Sequence, residues 1–165
     1  MNTIILIGMM GSGKTSVGKL LAERLGYKHI DTDHIIEETQ GLSITRIFEA
    51  HGESKFRELE ENVIDKISKL SDVVVSTGGG IILNPINTMR LKEMGTVIYL
   101  RASAKQLEAN LKDMPDDRPL LKMHTLAVLL TVRASLYDHA AHYSVDIDGL
   151  TIEAITAEIL KIQRL

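Results

Sequence analysis

Gly8-Met9-Met10-Gly11-Ser12-Gly13-Lys14-Thr15 follows the pattern G-x-x-x-x-G-K-S/T and stands where that pattern has a mechanical meaning. Before it, Thr3-Ile4-Ile5-Leu6-Ile7 is a continuous apolar run of strand length. After it, Val17, Leu20, Leu21 and Leu25 recur at helical spacing. The motif therefore spans a strand-to-helix turn. There the glycines let backbone N–H groups close around a β-phosphate, Lys14 reaches the β- and γ-oxygens, and the Thr15 hydroxyl is placed to ligate Mg²⁺. A chance glycine-rich turn is the alternative, and the flanking strand and helix argue against it. The starting point is a cradle for a nucleoside triphosphate.

Composition narrows what can be built around that cradle. The chain has 165 residues, enough for one domain with a real core, and its 44% hydrophobic and 25% charged residues are ordinary for a globular protein. A formal net charge of −3 argues against a nucleic-acid partner, whose phosphates call for a basic excess. With no cysteine, the chain has no disulfide, thiolate nucleophile or Cys-ligated metal, which suits a reducing, cytoplasmic compartment. The apolar start lacks a basic leader and no apolar run approaches membrane-spanning length, so neither secretion nor a membrane is expected.

Outward from the phosphate loop, strand-like runs recur at residues 3–7, 27–30, 73–75 and 97–100, with residues 144–147 a candidate fifth and helix-like segments between them. That alternation predicts an α/β fold with a mostly parallel sheet, whose ligands lie outside the carboxyl ends of the strands. Asp31-Thr32-Asp33 falls at such an end. Two residues apart in an extended strand, both carboxylates face one pocket. One can hold the Mg²⁺ shell while the other orients or takes the proton of an attacking hydroxyl. The alternative for Asp33 is a simple cap on the following helix. The third strand, 73–75, leads into Ser76-Thr77 rather than an acid, which leaves Asp31 as the best candidate to organise a metal. The triplet Gly78-Gly79-Gly80 after it marks a close backbone approach to a ligand or a plain turn. No Asn/Thr-Lys-x-Asp tetrapeptide, the guanine-reading signature, occurs.

Three arginines complete the candidates. Arg57 lies at the edge of a helical stripe formed by Phe56, Leu59, Val63, Ile67 and Leu70. Arg133 shares a face with Leu126, Leu130, Tyr137 and Ala140, so a cation sits in an apolar stripe and requires an anion, either an internal carboxylate or a substrate's. Arg118 lies in a charged, proline-broken stretch between two helices that reads as a lid closing over the triphosphate, or else as a solvated loop charge. His139 and His142 have no third partner at metal-ligand spacing and are given no role.

In order and spacing, the phosphate loop, Asp31-Thr32-Asp33, Gly52-Glu53 with Phe56-Arg57 and Glu60, Gly78-Gly79-Gly80, Arg118-Pro119-Leu120-Leu121, and Arg133 with Leu136-Tyr137 resemble the shikimate kinase family over nearly the whole chain. The resemblance implies a P-loop, nucleoside-monophosphate-kinase-like fold: one domain over 1–165, a five-stranded parallel sheet flanked by helices, a substrate segment about 33–60 and a lid about 112–124. It implies transfer of the γ-phosphoryl group of ATP to the 3-hydroxyl of shikimate, with Mg²⁺, in a monomeric cytoplasmic enzyme of aromatic amino acid biosynthesis. It gives Gly11, Ser12, Gly13, Lys14, Thr15, Ser16 and Arg118 to ATP, and Thr15 with Asp31 to the metal. Asp33, Arg57, Gly78, Gly79, Gly80 and Arg133 go to shikimate, and Lys14, Asp33 and Arg118 to catalysis. In one departure, Asn110 stands where many members carry an arginine along adenine; residues 146–149 are expected near the base. The rivals are another small-metabolite kinase, such as a gluconate kinase, and a nucleotide-binding module without turnover.

Overall fold

Five short strands lie side by side in the order β2-β3-β1-β4-β5, every neighbouring pair parallel. They are β1 (Ile4–Ile7), β2 (Lys28–Asp31), β3 (Val73–Ser76), β4 (Thr96–Arg101) and β5 (Tyr143–Asp146). This computed structural model describes residues 2–112 and 125–163. The burial of each strand explains its place. β1 and β3 are buried at all four positions and β4 at its four central ones, as interior parallel strands covered on both faces must be. β2 and β5 alternate or face solvent and take the two edges.

Helices cover both faces: α1 (Lys14–Leu25), α2 (Thr32–Gln40), α3 (Ile44–Ile67), α4 (Pro85–Met94), α5 (Ala104–Leu111), α6 (Leu126–Ala140) and α7 (Ile152–Ile162). A short 3₁₀ turn, Ile81–Leu83, precedes α4. Gly52 breaks α3 internally with φ 78° and ψ 175°, so the chain changes direction shortly before Arg57. Leu70, expected in the apolar stripe of this helix, is 39% exposed, because α3 ends at Ile67 and the chain has already turned toward β3.

Helix starts carry a functional signal. The side chains of Asp31, Ser43, Asn84, Ser103, Thr125 and Thr151 accept backbone N–H bonds at the starts of α2 to α7. Among the described α-helices only α1, whose N-cap is Gly13, has no side-chain cap. Its first N–H groups stay available at the positive end of the helix dipole, the arrangement that receives phosphate.

Candidate active site

The phosphate loop begins at the end of the central strand β1. Gly11 (φ 83°) and Gly13 (φ 87°) adopt left-handed backbone that a side chain would strain, which curls the loop back over the start of α1. Lys14, only 9% exposed, turns its ammonium inward, where Nζ donates to the carbonyls of Gly8 and Met9 at 2.8 Å each and to Ser12 Oγ at 3.4 Å. The cation is thus held by neutral acceptors beside a row of N–H donors. Next along the helix, Thr15 Oγ1 donates to Asp31 Oδ2 at 2.8 Å.

Asp31 reaches this position from β2, directly across from Ser76 in the β2–β3 register. Ser76 Oγ donates to the Lys14 carbonyl at 2.7 Å and lies 2.9 Å from His29 Nε2, so the end of β3 braces α1, while the acid at the strand ends comes from β2. Thr15 and Asp31 form an oxygen-only pair beside the phosphate cradle. That pair fits Mg²⁺, which is commonly held by one or two carboxylates together with substrate phosphates and water. Among the described residues no cluster of three or more His, Asp or Glu side chains forms a protein-only metal cage.

Two expectations for Asp33 need correction. Asp31, not Asp33, caps α2: its Oδ1 accepts from the backbone of Asp33 at 3.0 Å and of His34 at 3.3 Å. Nor do the carboxylates share one face of an extended strand, since that cap starts the helix at Thr32 and puts Asp33 in the first turn of α2. Both still line the same cavity of about 500 Å³, because the turn swings Asp33 beneath the glycine triplet. Asp33 Oδ1 is fully buried and has no hydrogen-bond partner among the described residues. Burial first, then the carboxylates of Glu60 and Asp31, raise its pKa to about 7.

The three glycines have different surroundings. The Gly78 amide donates to Thr32 Oγ1 at 3.0 Å, and a Cβ built on Gly78 would lie 2.5 Å from Asp33 Oδ1 and 3.0 Å from Glu60 Oε1. Gly79 is half-buried and faces the cavity. Gly80 is buried against Arg57, and any side chain there would displace the guanidinium. Arg57 in turn is fixed by Glu60 at 2.7 Å and Glu53 at 3.2 Å. Burial pulls the Arg57 pKa down, but the Glu60 and Glu53 carboxylates outweigh it and hold it above its usual value. Glu60, 1% exposed, is pushed up by burial despite this pairing.

Arg133 arrives from α6 on the other side. It is 3% exposed, and among the described residues it has no carboxylate within ion-pair distance and its terminal nitrogen Nη1 has no hydrogen-bond partner. The internal ion pair considered for it is therefore absent there. Unsatisfied buried polar atoms of Asp33, Arg57, Glu60 and Arg133 gather around residues 78–80, a costly arrangement unless a ligand completes it. Arg57, Gly80 and Arg133 stand behind the cavity wall, whereas Asp33, Gly78 and Gly79 form part of it.

On the far side of the phosphate loop, Asn110 Nδ2 donates to the Gly11 carbonyl at 2.8 Å, and Gln106 bridges Asn110 (2.9 Å) to the Gly149 amide (3.0 Å). Asn110 thus braces the phosphate loop. Ile147, Leu150, Ile152 and Ile155, with Thr151 among them, make this end of the cavity largely apolar. Of the expected segment 146–149 only Ile147 faces it: Asp146 pairs with Arg101, and Asp148 accepts from the Ser103 amide. Gln106 and residues 150–155 carried no recognisable signal, since single apolar residues at a helix start resemble any other helix start. Arg118 and most of the expected lid lie outside the described residues.

Comparison with known proteins agrees with this geometry. The family described as shikimate kinase matches residues 10–163. A shikimate kinase of Caldicellulosiruptor bescii is 45% identical, covering 98% of this chain and 95% of its own length. One from Thermodesulfovibrio yellowstonii is 42% identical over 98% of this chain and 94% of the relative. Among solved structures, shikimate kinase from Acinetobacter baumannii in complex with shikimate superposes with a TM-score of 0.93 at 34% identity, covering 99% of this chain and 93% of that one.

Proposed function

The chain belongs to the shikimate kinase family, whose reaction passes the γ-phosphoryl group of ATP to the 3-hydroxyl of shikimate on the way to aromatic amino acids, and from that premise we propose how its residues divide the work. The phosphate loop, with Lys14 and the uncapped start of α1, grips the β- and γ-phosphates. Arg133 and Arg57 hold the shikimate carboxylate, and Gly79 presents its backbone to the ring. Asp33 accepts the proton of the attacking 3-hydroxyl or fixes its direction. The observation that carries this division is the set of unsatisfied buried atoms around residues 78–80, acidic on the Asp33 and Glu60 side and cationic on the Arg57 and Arg133 side. A small ring bearing both hydroxyls and a carboxylate satisfies both signs at once.

Thr15 and Asp31 are the residues that would hold Mg²⁺, directly or through water. When bound, that ion neutralises charge on the β- and γ-oxygens. Little covalent chemistry is left to the protein, so its contribution is positioning and charge stabilisation. The same proposal includes Gly78 and Gly80 as the walls that seat Asp33 and Arg57, and Ser16 among the ATP contacts. It also includes Arg118 as a cation on the transferring group, carried by a lid over about 112–124. The substrate segment about 33–60, a single domain over 1–165, a monomeric state and a cytoplasmic location complete it. No described helix is long and apolar enough to cross a membrane.

The direct test is ADP release from MgATP with shikimate, gluconate, AMP or no acceptor. Release only with shikimate is expected, and release driven by gluconate would transfer the site to a different metabolite. Arg133→Ala is expected to weaken shikimate binding by about 1.5–3 kcal/mol, with the ATP KM little changed. Arg57→Ala should do the same and also lower the melting temperature, because it leaves the buried Glu60 carboxylate without its cation. An unchanged shikimate KM in both variants would remove the carboxylate clamp.

A further inference from the structure

Arg133 raises a question that its burial makes acute: what aims a cation that forms no ion pair among the described residues, with the Glu60 carboxylate acting on it only through space? One turn further along α6, Tyr137 is fully buried and its hydroxyl donates to the Gly79 carbonyl. The Arg133 guanidinium lies within reach of the same phenol oxygen, which has lone pairs to receive from it. A phenol has one proton to give and lone pairs to receive, so both bonds can be made together. The ring is locked against Tyr99 of β4, with centroids 5.0 Å apart and planes 25° from parallel.

We propose that Tyr137 is a positioning residue for the acceptor substrate: its hydroxyl ties the Arg133 clamp to the Gly79 backbone, so that both meet the shikimate carboxylate in a fixed mutual geometry. The two clamp arginines are anchored in chemically different ways. Arg57 is held by the carboxylates of Glu60 and Glu53, which offset its charge. Arg133 is held by a neutral hydroxyl, which orients a guanidinium without neutralising it; a carboxylate at position 137 would compete with the substrate's. The guanidinium faces Gly79 with Nη1, which has no hydrogen-bond partner among the described residues and stands 3.4 Å from where a Gly79 Cβ would be. Burial, opposed by the Arg133 charge, pushes the phenol up to about 12, so it stays protonated and able to donate.

This inference rests on Arg133 as a carboxylate clamp, and the experiment separates the two. Tyr137→Phe keeps the ring and its stack and removes only the hydroxyl. Its shikimate KM is expected to rise ~10-fold, the lower end for losing a hydrogen bond to a charged group. ATP KM and kcat at saturating shikimate should stay within about 2- to 3-fold, with a cooperative melt. In an Arg133→Ala background the same change should add less than about 2-fold, because coupled groups are not additive. An unchanged shikimate KM in Tyr137→Phe while Arg133→Ala raises it would overturn the inference and leave the clamp standing. No effect from Arg133→Ala would bring down the clamp and this inference with it. Equal rises in both substrates' KM, or a full ~10-fold effect in the Arg133→Ala background, would reduce Tyr137 to a packing residue. If Tyr137→Phe does not melt cooperatively, Tyr137→Met, which also lacks the hydroxyl, is read against the same outcomes.

Discussion

Replacing Asp33 by asparagine is expected to lower kcat by ~10²–10⁴-fold, the range for losing a positioned general base, while the protein becomes more stable at alkaline pH. Both effects have one cause. Burial, Glu60 and Asp31 raise the Asp33 carboxyl from its ordinary 3.8 to about 7, so between those values the folded protein binds a proton that the unfolded chain has released. Stability therefore falls as pH rises through that window, and above about 7 the full penalty of a buried, poorly partnered carboxylate is present. At pH ~8 the asparagine variant should melt clearly higher than the parent, because a shift of about three pKa units corresponds to several kcal/mol, and at pH ~4 the difference should largely vanish. In the parent enzyme, kcat/KM for shikimate should drop about tenfold per pH unit below about 7, because that ratio reports the free enzyme's essential base. A flat profile across that range, or an asparagine variant with near-normal turnover, would take Asp33 out of the chemistry.

Lys14→Ala should depress kcat by ~10²–10³-fold and raise the ATP KM, with the shikimate affinity of the nucleotide-free enzyme little changed. The magnitude is that of removing one preorganised donor from charge that develops in the transition state. Resting Lys14 Nζ already spans the Gly8 and Met9 carbonyls at 2.8 Å, so the side chain also keeps the loop closed before nucleotide arrives. Lys14→Arg is expected not to rescue, since a planar fork cannot occupy a pocket that leaves the lysine 9% exposed. The measurement is ADP release at saturating shikimate together with calorimetric titration of shikimate alone. Turnover within a few-fold of the parent in Lys14→Ala would mean that the phosphates are held by backbone alone.

The sheet was legible because its interior strands are nearly pure apolar runs, a signature that parallel burial imposes locally. Residues 3–7, 73–75 and 97–100 match β1, β3 and β4 to within one or two positions. The edges were placed as closely, each shifted by one position: β2 is Lys28–Asp31 against 27–30 and β5 Tyr143–Asp146 against 144–147, although both alternate or face solvent. Around the site, glycine and charge gave positions but not partners. Asp33 was legible as an acid at a strand end, yet the Asx cap formed by Asp31 decided that it stands in a helix.

By itself the sequence determined the phosphate cradle, the parallel α/β fold and the family, since each is written in residues that are contiguous or evenly spaced. What only the tertiary structure decided is how charges from distant segments meet. Gly78-Gly79-Gly80 is a loop in one dimension; in three, Thr32, Asp33, Arg57, Glu60, Arg133 and Tyr137 surround it from three different helices. Whether Arg133 met an internal carboxylate or stood open to an anion depended on separations through space, and the strength of a buried charge pair depends on distance and desolvation, neither of which is encoded in spacing along the chain.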